Sequence, residues 1–444
     1  MSTDNRTGNQ NSSMFKLDGK NYLFAFILIT SLFALWGFAN DITNPMVAAF
    51  RKILLISNFE SSLVQFAFYG GYCLMAIPAA LFIRKFNYKN GILVGLFLYA
   101  GGCLMFIPAG NAMAFWMFLI AYFVMTCGLS FLETTSNPYI LSLGPKQSAT
   151  RRLNFAQAFN PIGSLTGMLI AKEFILKYLK VKPMTEAELS ALRDNDPEAF
   201  ANIQQADLDT VSGPYLMLGA VVLLFFIIFL AVRLPRMVAP DTGVLSVRET
   251  LKKLFKNKIY VWSVVAQCFY VGVQIMVWTF IIQYAERELK MEYDTAQGYN
   301  MIAMAIFVSS RFVCTFLLKY IKPSVLLTTL AVGGMAFTLG AIFIHGMTGL
   351  YCIIAISACM SLMFPTIYGI ALNGMGDEAK LASAGLILAI GGGSIFPPLQ
   401  GLLIDKANWF GGLSSVRISF VLPLICFLFI AWFGYRVHRN RKVM

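Results

Sequence analysis

Twelve times along this chain, mostly apolar residues run together for roughly the 20 or so that a helix needs to cross the hydrocarbon core of a bilayer. Lipid offers no hydrogen bonds to a backbone, so each run must satisfy its own amides, and a helix does that within one segment. The windows are 22–50, 59–83, 91–108, 112–141, 152–178, 213–233, 258–285, 296–318, 323–344, 348–373, 381–404 and 414–436. Two of them, 152–178 and 296–318, are polar enough that only their context marks them. The expected fold is an all-α membrane protein of twelve transmembrane helices, numbered here helix 1 to helix 12.

Composition removes the soluble alternative. The 444 residues are 58% hydrophobic and 13% charged, whereas soluble domains carry about 25% charged residues. Length alone would suggest about three soluble domains of ~150 residues; hydropathy overrules it. Residues 1–20 are polar and include Lys16 and Lys20, so no signal peptide is expected. The eight cysteines, Cys73, Cys103, Cys127, Cys268, Cys314, Cys352, Cys359 and Cys426, sit mostly in apolar runs without metal-like spacing, and read as small core hydrophobes.

A net charge of +13 could point to nucleic acid, but its placement points to topology instead. An even number of spans puts both termini on one side. With that side inside, the internal segments carry Arg84, Lys85 and Lys89; Lys146, Arg151 and Arg152; Arg233, Arg236, Arg248, Lys252, Lys253, Lys256 and Lys258; Lys319, Lys322 and Lys380; and Arg436, Arg439, Arg441 and Lys442. The opposite side holds the acidic loop 183–212, with Asp194, Asp196, Glu198, Asp207 and Asp209. This obeys the positive-inside rule, so both termini are expected to be cytoplasmic and nucleic acid is not a partner. The basic stretch 233–258 splits the chain. The expected organisation is a tail at 1–20, a six-helix bundle at 21–235, a linker at 236–256, a second bundle at 257–437 and a tail at 438–444. Gly144 and Gly163-Ser164 are echoed at equal spacing by Gly374 and Gly393-Ser394. That agrees with duplication of a six-helix unit, a known transporter plan.

Ionisable groups within lipid-spanning segments are expensive and should face a cavity or a partner. Asp41 in helix 1, Glu133 in helix 4 and Arg311 in helix 8 lie deep; Lys172, Glu173 and Arg417 lie near span ends and are expected to snorkel. Glu133 shares a helix face with Asn137, and Pro138 follows. In helix 5, Asn154, Gln157 and Asn160 recur every three residues as a polar stripe. Helix 7 has Gln267 and Gln274 on one face, with Trp278 a turn further. Helix 1 has Trp36, Asn40 and Asn44 at one-turn intervals, with Asp41 beside Asn40 and Pro45 beyond.

Amides and carboxylates bond hydroxyls, and aromatic faces pack on the apolar face of a pyranose. The set Trp36, Asn40, Asn44, Asn137, Gln157, Asn160, Gln267, Gln274, Trp278 and Arg311 therefore suits a neutral sugar and is expected to bind it. An anion carrier would want several buried cations, and only Arg311 qualifies. Each residue also has a plainer reading. Interhelical amides serve as packing glue worth roughly 0.6 kcal/mol. Glu133 could be a protonated acid bonded to a carbonyl, Asp41 a helix-end residue near Pro45, and Arg311 a partner to a carbonyl or carboxylate. The run "GGGSIFPP" at 391–398 has no following lysine, which favours helix packing over a phosphate cradle. The two histidines, His345 and His438, lie far apart at span ends, so neither an enzyme site nor a cofactor is expected. A receptor or channel remains the rival class, separable by counterflow.

The stretches "FALWGFANDITNP", "QFAFYGGYCLMAIPAALFIRKFNYKNGI", "GLSFLETTSNPYILSLGP", "RLNFAQAFNPIGS", "FYVGVQIMVWTFIIQYA" and "MFPTIYGIALNGMGDEAKLASAGLILAIGGGSIFPPLQGLLID" cover most of both halves in order. Together they resemble the major facilitator superfamily, and within it the L-fucose:proton symporter family. The resemblance implies two pseudo-symmetric six-helix bundles rocking around a central sugar site, in a monomer of the bacterial inner membrane. It implies that Glu133 exchanges the proton and that Gln157 and Asn160 face the sugar. The related glucose/galactose carriers usually have Gln in place of this acid. One departure stands out. The fucose permeases place a second essential Asp where this chain has Asn44; Asp41 lies one turn earlier, so either Asp41 takes over that coupling role from the same face or the site is tuned for a different sugar.

Overall fold

The computed structural model describes residues 14–17, 20–43, 46–56, 58–235, 247–291, 293–405 and 413–440. Apart from a short antiparallel pair, Lys16–Leu17 with Lys20–Asn21, the described residues form helices and their connections. Helices 1 to 4 are Leu23–Thr43, Asn58–Lys85, Tyr88–Leu104 extended by Phe106–Asn111, and Phe115–Ser142. Helix 5 is broken into Ala149–Gln157, Phe159–Ile170 and a π turn at Ala171–Leu176, and helix 6 is Pro197–Ala231. Helices 7 to 9 are Lys258–Leu289, Tyr293–Leu317 and Pro323–Phe343. Helix 10 joins Met347–Met360 to Met363–Leu372; helix 11 joins Ala379–Leu388 to Gly392–Asp405; helix 12 joins Ser415–Ser419 to Val421–Asn440.

Among the described residues, eleven of these are long and apolar enough to cross a membrane unaided. The twelfth, helix 5, is the polar window 152–178. Its break has a cause in sequence: Pro161 has no N–H to continue the ladder.

Three expectations are corrected. The acidic stretch 183–212 is not a loop. It forms the helix Glu186–Asn195 and the first turns of helix 6. Thr185 and Glu188 make a reciprocal capping box, with Glu188 Oε2 accepting from Thr185 N at 2.6 Å. Asp196 accepts from Ala199 N just ahead of Pro197, which suits the first turn. Asp207 is fully buried there and accepts from the backbone N–H groups of Lys180 and Val181 at 2.7 and 3.0 Å. Arg417 does not snorkel either. It is 1% exposed and donates to the carbonyl of Ile342 at the end of helix 9, because the start of helix 12 packs under that end. Arg152, counted above among loop cations, is also buried. It donates to the carbonyls of Ile140, Leu141, Pro145 and Met14, closing the end of helix 4 and tying the N-terminal pair to it.

The twelve helices form two pseudo-symmetric bundles of six, and in each half glycines let two helices approach closely. A Cβ on Gly163 would lie 1.9 Å from Ala34 O, and one on Gly37 would lie 2.0 Å from Asn160 O. Helix 5 thus packs backbone against backbone on helix 1. In the second half, a Cβ on Gly392 would lie 2.2 Å from Cys268 O, and one on Gly393 2.2 Å from Ile275. Gly392 brings the backbone of helix 11 against that of helix 7, while Gly393 makes room for the Ile275 side chain, which gives the "GGGS" run its packing role.

One hydrophobic core fills helices 1 to 6 and takes in the ends of helices 10 and 11 nearest the linker, through Tyr368, Ala371, Leu381 and Leu386. A second core fills most of the other half. The halves therefore meet on the linker face. The basic helix Val247–Lys256 lies on that face, its Leu254 buried and its Lys253 paired with Glu378 ahead of helix 11. Within the expected linker, 236–246 falls outside the described residues.

Candidate functional site

Helix 4 carries the interior acid. Every residue from Met125 to Ile140 is buried, so this helix runs through the middle of its half. Glu133 is 8% exposed, and no hydrogen bond or ion pair holds its carboxyl among the described residues. The bonded-to-a-carbonyl reading of Glu133 finds no such bond. Two phenols lie in electrostatic range of it, Tyr72 from helix 2 and Tyr368 from helix 10 of the other half.

Asn137, one turn further, is fully buried. Its Oδ1 accepts from Gln157 Nε2 at 2.9 Å, while its own Nδ2 has no partner. The helix 5 stripe opens into a fan, because residues three apart step by about 60° around a helix of 3.6 residues per turn and the break falls between them. Asn154 reaches across the halves to Thr366 Oγ1 at 3.1 Å. Gln157 turns to helix 4. The Asn160 amide oxygen, oriented toward the surrounding donors, accepts from Trp36 Nε1 at 2.6 Å and Gly37 N at 3.2 Å. Asn160 thereby fixes the Trp36 ring, which also lies against Phe33.

On helix 1, Asn40 and Asp41 are half-buried, and Asp41 is in electrostatic range of Tyr69 on helix 2. Tyr69 and Tyr72 stand one turn apart and sense one another, so the two acids flank one tyrosine-bearing face of helix 2. Asn44 and Pro45 lie outside the described residues.

The second half supplies fewer charges. Gln267 is fully buried and, among the described residues, neither of its amide atoms has a partner; the Tyr270 hydroxyl three residues on has none either. Gln274 is half-buried on the same face. Trp278 Nε1 donates to Ser357 Oγ at 3.3 Å, and its ring meets Phe307 edge-on at 5.0 Å. Arg311 is 3% exposed. It donates to Gln157 O in the first half at 2.8 Å and to Ser361 O in its own, with the guanidinium 4.6 Å over the Phe307 ring. Of its two plainer readings, bonding to a carbonyl describes this geometry.

Buried polar atoms are normally paired. Among the described residues, the unpaired ones on helices 1, 4 and 7 include Asn40 Oδ1, Ser136 Oγ, Asn137 Nδ2, the Gln267 amide and the Tyr270 hydroxyl, and others are spread over helices 5, 8, 10 and 11. A ligand rich in hydroxyls matches that mixture of donors and acceptors, and a hydrophobic one does not. Sequence reasoning missed the interior tyrosines 69, 72, 270 and 368. The signal was available in "FAFYGGY", where two phenols sit one turn apart in a span. It also missed Ser383 and Thr366, whose partners lie in the other half and leave no local pattern.

The sequence profile of the Major Facilitator Superfamily matches residues 27–392. The L-fucose-proton symporter of Haemophilus influenzae is 51% identical over 423 residues, covering 95% of this chain and 98% of the relative. A glucose/galactose transporter of Brucella abortus is 29% identical over 423 residues, covering 94% of each. Among solved structures, a Major Facilitator Superfamily transporter, FucP, in the outward conformation superposes with a TM-score of 0.84 at 32% identity, covering 94% of this chain and 99% of that one. With two six-helix halves meeting over a buried acid, and a relative this similar along nearly its whole length, the chain belongs to the major facilitator superfamily, in the family of the L-fucose-proton symporters.

Proposed function

We propose that this protein is a proton-coupled symporter, not an enzyme, and that it imports the neutral monosaccharide L-fucose by alternating access. It works as a monomer in a bacterial inner membrane, with both termini and the linker face on the cytoplasmic side. The observation that carries the reading is Glu133: a buried acid with no salt bridge or hydrogen bond of its own, at the meeting of the halves, one turn from the Gln157–Asn137 amide pair. An acid in that position can gain a proton without breaking any bond. The halves meet on the linker face, so the proton reaches Glu133 from the opposite side. Sugar then binds among Trp36, Asn40, Asn44, Asn137, Gln157, Asn160, Gln267, Gln274 and Trp278. The halves rock, and proton and sugar leave toward the linker.

The substrate assignment rests on the relatives' names together with Glu133, since the glucose/galactose branch usually has Gln there. The 29% identical glucose/galactose transporter keeps a hexose carrier as the second reading. A competition panel against labelled L-fucose uptake separates them. D-Arabinose and L-galactose share the ring hydroxyl arrangement of L-fucose and are expected to compete, whereas D-glucose and D-galactose are not. Stronger competition by D-glucose or D-galactose than by unlabelled L-fucose itself would assign the hexose branch.

Asp41 is proposed as the second acid, in place of the helix 1 Asp that the fucose permeases place at Asn44. Asp41→Asn is expected to lower the uptake rate at least tenfold, the size of effect that losing one hydrogen bond to a charged group produces. Undiminished uptake would leave Asp41 a helix-end residue.

A further inference from the structure

Three prolines inside the membrane-spanning helices each free a backbone carbonyl close to where the halves meet. A helical proline lacks the N–H that would bond the carbonyl four residues back. Pro138 in helix 4 frees Thr134 O, Pro161 in helix 5 frees Gln157 O, and Pro365 in helix 10 frees Ser361 O. Each freed carbonyl accepts from a side chain. Thr134 O lies 3.2 Å from Ser383 Oγ of helix 11, whose one O–H is shared with the nearer Lys380 O at 2.8 Å. Gln157 O accepts from an Arg311 terminal N–H at 2.8 Å, and Ser361 O accepts from Arg311 Nε. The Ser383 bond and the Arg311–Gln157 bond both run from one half to the other.

We propose that Arg311 is a positioning residue, a clasp that closes the linker face by bridging the proline break of helix 5 in one half to that of helix 10 in the other, while fixing Gln157 toward Asn137. The chemistry suits this role. An ordinary helical carbonyl keeps its ladder bond whether or not a side chain adds a second one, so a side chain there holds little. A proline-freed carbonyl depends wholly on the outside donor, so the bond counts fully. When the halves part, that bond breaks without unwinding any helix. Arginine fits because its planar guanidinium offers donors from separate nitrogens in a rigid, divergent fork, so Nε and a terminal N–H reach the two carbonyls together, whereas the three donors of an ammonium radiate from one nitrogen. Phe307 supports the guanidinium from below and meets Trp278, placing the clasp in contact with an aromatic of the proposed sugar site. Gln157, whose carbonyl is clasped, points its own side chain to Asn137. Opening toward the linker then requires Arg311 to release Gln157 O.

The test is a distance measurement between spin labels at Lys85 and Tyr320, exposed positions near the linker face in different halves, in a cysteine-free background without sugar. Arg311→Gln is expected to move the population toward the longer separation by about tenfold or more, as loss of a hydrogen bond from a charged donor would. Arg311→Lys, with a single point of attachment, is expected to fall between. Pro161→Ala returns an N–H to Gln157 O, so it should open the linker face by itself. Combined with Arg311→Gln, it should add little, since both remove one interaction. If Arg311→Gln does not fold, Pro161→Ala still carries the test. Unchanged distances in folded variants, or additive effects in the double variant, would overturn the clasp. The sugar KM should rise in Arg311→Gln, because Gln157 loses its anchor. That readout rests on the carrier reading. The distances do not, so failure of either inference is seen separately.

Discussion

Glu133→Gln is expected to abolish accumulation of sugar against its gradient while leaving exchange of labelled for unlabelled sugar intact. The substitution keeps the shape and removes only the ability to gain and lose a proton. Among the described residues Glu133 has no hydrogen bond or ion pair to lose, so the fold has little reason to respond. The effect on accumulation is large. One charge moving across ~150 mV releases roughly 3.5 kcal/mol. At about 1.4 kcal/mol per tenfold, a single proton sustains a gradient of a few hundredfold. The variant should equilibrate sugar to a ratio near one, and a protonophore should then change nothing. Exchange requires only binding and rocking, which a permanently neutral side chain permits. A variant that still concentrates sugar, with uptake collapsed by protonophore, would remove Glu133 from the coupling step. Loss of exchange as well would move it from coupling to binding.

Gly163→Ala is expected to destabilise the first half more than any surface change could. Its new methyl would sit 1.9 Å from the Ala34 carbonyl, and backbone cannot swing aside as a side chain can. Inserting a methyl into a well-packed core costs about 1–3 kcal/mol, and a backbone obstacle belongs at or above the upper end. Helices 1 and 5 would have to separate, and Asn160 would lose its bonds to Trp36 and Gly37. Thermal unfolding in detergent, followed by intrinsic fluorescence, is the measurement. Gly101→Ala in helix 3 is the control: a Cβ there meets nothing within 4 Å, and the change should be neutral or slightly stabilising. Equal melting temperatures for the two variants would contradict the backbone-on-backbone packing.

The spans were legible because lipid imposes one rule on every residue in them. The window 323–344 becomes the helix Pro323–Phe343, and 258–285 becomes Lys258–Leu289. Where other physics governs, hydropathy misleads. The stretch 183–212 looked like loop because it is acidic, yet a capping box and a capped proline start make it helical. Arg152 and Arg417 looked like surface cations because they sit near span ends, yet each is buried against helix-end carbonyls that composition does not reveal. Within the site, the positions of Glu133, Asn137 and Gln157 along their helices could be read from spacing. The direction of the helix 5 amides could not, since the break after Gln157 resets the phase and sends Asn154, Gln157 and Asn160 to three different neighbours. The pairing of Arg311 with Gln157, residues far apart in sequence and in opposite halves, is set by tertiary packing alone.

Proton movement itself gives the most direct test. In sealed proteoliposomes with no sugar or pH gradient, L-fucose added outside should draw protons inward through the wild-type protein, one per sugar, read as alkalinisation of a weakly buffered medium. Glu133→Gln, reconstituted to the same density and still competent in exchange, should give no such signal. A sugar-dependent proton signal of undiminished size from that variant would contradict the account, since the proton would then be riding on some other group.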